Sequence, residues 1–185
     1  MPNLFNHKFV PGDGKTTRWD ECQHPECGAH VSEHVDKLDA IAKRTMENII
    51  KYGHEVRFIF PTDEDPDGCQ FWYSVGRSLK YQPEFLITGP LGPTVGQWIV
   101  NQAAKLYDEA PFAAGDELPA DTLLDGFPVR IIKVTDPEEA EMFGATEHFS
   151  DVTALQIVWP DANGKFPGEP GYKYDDDVQP LYGRL

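Results

Sequence analysis

The sequence predicts an α+β domain: a mixed, mostly antiparallel sheet of about five strands packed on two longer helices, with a Cys/His-rich N-terminal segment. Three observations carry this. Two segments repeat apolar residues at three- and four-residue spacing. Five short runs rich in β-branched and aromatic residues are bounded by Gly, Pro and Asp. Hairpin-like spacing joins the first strands, and one helix connection later allows a parallel pair.

Each element has its own signal. A helix is expected over residues 32–52, where Val35, Leu38, Ile41, Ala42, Thr45, Met46 and Ile49 form one stripe. Ser32 can cap it and Gly53 can end it. A strand follows over 54–60, with Val56, Phe58 and Phe60 on one face, stopped by Pro61. The acidic loop 62–68 leads to an aromatic strand over 69–75, in which Cys69 reads as a small buried residue. Phe85-Leu86-Ile87 reads as a short buried strand. A second helix is expected over 94–108, with Val95, Trp98, Ile99, Ala103 and Leu106 inward. Residues 110–127 read as a loop, 128–135 as a strand, 137–143 as a short acidic helix with Pro137 in its first turn, and 154–159 as the last strand. Residues 1–19 form an irregular arm, 20–34 a zinc-binding segment, and 35–185 one domain.

The chain has 185 residues, 40% of them apolar and 25% charged, as an ordinary globular protein does. No run of about 18 apolar residues offers a membrane span, and no secretory leader is visible, so a cytoplasmic location is expected. Net charge is −15, and it is lopsided. Residues 1–60 hold 8 Lys/Arg and 9 Asp/Glu; residues 61–185 hold 8 and 22. Such a body repels nucleic-acid phosphates and anionic membranes, so neither is expected as a direct partner. Two readings of the acidity stand open: a basic protein partner that it steers and matches, or solubility alone.

Five of the nine Cys and His residues lie between Cys22 and His34. Cys22, Cys27, His30 and His34 suit a tetrahedral ion, because a turn closed by Pro25 and Gly28 brings the thiols together and one helix face carries both imidazoles. Thiolate with imidazole favours zinc, and four protein ligands make a closed, structural site. His24 competes for either histidine position. Asp63, Asp65, Asp67 and Gly68 match half of a calcium loop. Ser74 stands where the bidentate acid belongs, so an acidic hairpin tip is expected. No nucleophile elbow and no phosphate-binding glycine loop is present.

Tyr73-Ser74-Val75-Gly76, Pro83-Glu84-Phe85, Leu155-Gln156-Ile157-Val158-Trp159-Pro160-Asp161, Gly164 through Glu169 and Gln179-Pro180-Leu181 occur in one order over about residues 40–183. In these motifs the chain resembles a bacterial and phage family known only as a domain of unknown function, number four-two-six-two. Arg77 stands where that family usually has an apolar residue, and Gly168 where it has Trp. The resemblance implies a fold and a set of positions but no activity; it fits a phage-encoded inhibitor or accessory protein. Two functions are therefore weighed. One is a non-catalytic, acidic protein-interaction protein with a structural zinc site. The other is a small hydrolase-like enzyme with a pocket near Tyr73, Glu84, Trp159 and Asp161, although packing of Trp159 in the core is the favoured reading of its motif.

Overall fold

A computed structural model describes residues 40–63, 68–146, 149 and 151–184. In order these form helix α1 (Ala40–Tyr52), strands β1 (Glu55–Ile59) and β2 (Phe71–Val75), a 3-10 turn (Arg77–Lys80), β3 (Glu84–Thr88), α2 (Pro93–Glu109), β4 (Glu117–Leu118), β5 (Val129–Lys133), α3 (Phe143–Thr146) and β6 (Ala154–Val158). The strands make one six-stranded sheet in the order β1-β2-β3-β6-β5-β4. Every pairing is antiparallel except β3 with β6, where Glu84 faces Ala154 and Ile87 faces Ile157. The described residues thus form an α+β fold, with three α-helices and a mostly antiparallel sheet.

The sheet is buried on both faces, which is why β2, β3 and β6 read as continuous apolar runs. On one face Tyr73, Val75, Leu86 and Ala154 pack with Met46 and Ile49 of α1 and with Met142 and Phe149. On the other, Trp72, Phe85, Ile87 and Ile157 pack with Ile99, Val100 and Ala103 of α2.

Several sequence expectations need correction. The sheet has a sixth strand, β4, inside the stretch read as loop; Glu117 and Leu118 pair with Arg130 and Val129. Two residues are too short to show an apolar period. The inward face of α2 is Gly96, Ile99, Val100, Ala103 and Ala104, while Val95 and Trp98 are exposed. The Trp72 indole explains the rotation: it occupies the space a side chain at position 96 would need, so small residues face the sheet. In α1, Thr45, Met46 and Ile49 are buried but Ile41 is exposed; among the described elements α1 rests chiefly on the edge strand β1. Phe60 lies beyond the end of β1 and is exposed. The acidic segment at 137–141 is a run of turns, and the short helix comes after it, at Phe143–Thr146. Cys69 precedes β2 and is half-buried; burial pushes its thiol pKa up.

The arm (1–19), the Cys/His segment (20–34), the expected first turns of the leading helix and the tip of the acidic hairpin (64–67) lie outside the described residues. No helix among the described residues is long and apolar enough to cross a membrane.

Candidate functional site: a loop folded on Glu84 and the cleft beside it

Glu84 opens β3 and is fully buried. A carboxyl placed there must find donors, since an unsatisfied buried acid is costly. The loop from Ser74 to Ser78 supplies them. Glu84 Oε1 accepts from the Gly76 and Ser78 amides at 3.0 and 2.9 Å and from Ser78 Oγ at 2.9 Å. Its Oε2 accepts from Ser74 Oγ at 2.6 Å, and Ser74 Oγ itself accepts from the Phe85 amide. Burial pushes the Glu84 pKa up, and these hydrogen bonds pull against it. Gly76 has φ 115°, with Ile49 packed against its Cα, so a side chain there meets both strain and a clash.

Once the loop closes on Glu84, Arg77 is carried toward α2. The guanidinium is buried; its Nε donates to the Pro83 carbonyl at 3.1 Å and its Nη2 to Asp108 Oδ1 at 2.9 Å. It lies over the rings of Phe85 and Tyr107, at 5.0 and 5.5 Å from their centroids. Asp108 also accepts from Gln82 Nε2. Beside this pair, His54 Nε2 bonds Asn101 Oδ1 at 2.9 Å. Burial lowers the imidazole pKa, the Asn101 bond opposes this, and Arg77 adds to the lowering. His54, Arg77, Lys80, Asn101, Lys105 and Asp108 line a cleft of about 300 Å³. An apolar hollow of about 420 Å³, lined by Ile49, Ile50 and Leu79 among others, shares Tyr52, Gly53 and Lys80 with it.

The other motif residues lie at the far end of the sheet and are bonded to one another. Trp159 is largely buried and its Nε1 donates to the Thr88 carbonyl at 2.8 Å. The Gln179 amide brackets the Trp159 backbone, accepting from its N–H and donating to its carbonyl. Gln156 donates to Thr88 Oγ1 and to the Pro180 carbonyl and accepts from the Tyr182 amide. Asp161 accepts from the amides of Asn163, Lys165 and Lys173; burial alone would raise its pKa, but these bonds hold it below the ordinary carboxylate value.

Tyr73, Glu84, Trp159 and Asp161 are therefore not brought to one pocket. Tyr73 accepts from the Gly144 amide under the α1 face. Glu84 begins β3, whereas Trp159 follows β6. Because Glu84 pairs with Ala154, Trp159 stands five residues further along the parallel pair, about 16 Å away at strand rise. Cys22, Cys27, His30, His34 and the competing His24 lie outside the described residues; among those described, no group of three or more His, Cys, Asp and Glu is placed to hold a metal ion. The His54 cleft has no sequence motif. Its one advance signal is Arg77, a cation inside an otherwise apolar and small motif.

A two-faced α+β sheet domain whose shared motifs build loops around buried polar side chains is the class that fold and site define. A family profile described as Domain of unknown function (DUF4262) matches residues 48–173, and the chain belongs to that family. The match spans the Glu84 loop, the cleft and the Trp159–Asp161 turn. No curated protein and no solved structure matches the chain.

Proposed function

We propose that the chain is a non-catalytic protein-interaction protein, of an inhibitor or accessory kind, whose acidic body engages a basic protein partner. The observation that supports this most is the surface after α2. Over residues 110–184, twelve described carboxylates are exposed, Asp175, Asp176 and Asp177 among them, against four exposed cations, Lys133, Lys165, Lys173 and Arg184. Arg130 is held by Glu117 and Glu169 and adds no free positive charge. Solubility alone asks for mixed signs, and a field of one sign steers a partner of the other. The motif polar groups fit this reading, because Glu84, Gln156, Asp161 and Gln179 are spent on internal hydrogen bonds. Immobilised chain should capture a basic protein at low salt, and replacing Asp175, Asp176 and Asp177 by Asn should weaken capture while leaving the thermal transition in place. Undiminished capture by the triple variant would contradict it.

The proposal includes one structural zinc ion on Cys22, Cys27, His30 and His34, supported by the density and spacing of those residues in the sequence. Elemental analysis of the purified full chain should find one zinc per chain, lost in the Cys22→Ser, Cys27→Ser double variant. Metal that survives that double variant, or none in the wild type, would overturn it.

A further inference from the structure

We propose that the His54–Arg77 cleft binds a small molecule through an oxyanion, a carboxylate or phosphate group. The acidic face described above plays no part in this, so either reading can fail alone.

The cleft departs from the rest of the body in charge. Three cations line it, Arg77, Lys80 and Lys105, against two acids, Asp108 and Glu109. In a segment that holds 22 acids and 8 bases over residues 61–185, this is a local reversal of sign. A concave, partly desolvated pocket of that sign concentrates small anions. The volume of about 300 Å³ sits at the lower end of small-ligand sites.

The cations are arranged for such a group. Arg77 is fixed before any ligand arrives: two nitrogens are bonded, and two rings hold the guanidinium plane. Nη1 takes part in neither bond, and Arg77 lines the cleft. A pre-positioned guanidinium loses little entropy on binding. Asp108 offsets the buried charge of Arg77, and Lys80 and Lys105 outnumber the remaining acid, Glu109. Both lysines are exposed and form no ion pair with the described residues. Lys80 Nζ stands beside Gly53, at the boundary with the apolar hollow, so a ligand with a short apolar tail has a place to lay it.

The test is a nitrogen-15 NMR titration of the full chain with sodium phosphate and, separately, sodium acetate, at constant ionic strength set with sodium chloride. The expected result is a saturable shift in the millimolar range, confined to the amides of residues 53–54, 77–82 and 101–109. Phosphate tighter than acetate assigns the group as phosphate, and acetate equal or tighter assigns it as carboxylate. The Lys80→Ala, Lys105→Ala double variant, which alters two exposed side chains, should weaken the preferred anion about tenfold or more. Shifts that chloride reproduces, shifts spread evenly over the surface, or an affinity unchanged in the double variant would overturn the proposal.

Discussion

Replacing Glu84 by alanine should lower the unfolding free energy by about 3–5 kcal/mol. The loss has two parts. A cavity opens under a residue with no solvent exposure, and four donors, the Gly76 and Ser78 amides and the Ser74 and Ser78 hydroxyls, lose their acceptor inside the protein. Glu84→Gln keeps an acceptor at the Oε1 position and much of the volume, so it should lose about 1–2 kcal/mol. The two variants also separate charge from shape. The folded pKa of Glu84 is raised above its ordinary 4.5 by burial. Its stabilising contribution is thus complete below pH 4.5 and falls as the pH rises through the folded value. The advantage of wild type over Glu84→Gln should therefore grow on acidification. Denaturant titrations at several pH values measure both effects. An alanine variant within 1 kcal/mol of wild type would show that the loop does not depend on Glu84.

Gly96→Ala should destabilise the domain by about 2–3 kcal/mol, against the roughly 1 kcal/mol by which alanine normally favours a helix interior. The sign is decided by Trp72. A methyl group at position 96 would lie within the van der Waals surface of the indole. The indole has nowhere to go: it is fully buried and stacked on Phe58, with ring centroids 4.6 Å apart. Helix α2 must lift from the sheet, and Ile99, Val100 and Ala103 lift with it. Thermal unfolding checks this, with the exposed Thr94→Ala on the same helix as a control that should move little. A Gly96→Ala variant as stable as wild type would mean that the seam between helix and sheet is loose.

The fold was legible where burial imposes a pattern. β2, β3 and β6 are buried on both faces and appear as unbroken apolar runs, and Met46 and Ile49 mark the covered side of α1. It was not legible where one large side chain dictates the packing. Nothing in the spacing of Val95 and Trp98 says that Trp72 claims the space above Gly96 and turns both outward. The two-residue β4 exists only because β5 offers it an edge, a tertiary cause with no local signal. Motif positions were legible as positions but not as roles. Glu84, Asp161 and Gln179 look like site chemistry on paper, whereas their carboxylates and amides are bonded to backbone and serine groups of neighbouring segments. The converging polar groups come instead from His54, Arg77, Asn101 and Asp108, dispersed over more than 50 residues and joined only by the approach of α2 to the β2–β3 loop.

The claim that the acidic body is a binding surface meets its most direct test in the salt dependence of the captured complex. Between 0.1 M and 1 M salt the screening length falls from about 10 Å to about 3 Å. A complex held by the carboxylates after α2 should lose affinity by at least about tenfold over that range, and the Asp175→Asn, Asp176→Asn, Asp177→Asn variant should show a shallower dependence. A complex whose affinity is the same at both salt concentrations would place its energy in an apolar contact and contradict the proposed role of the acidic face.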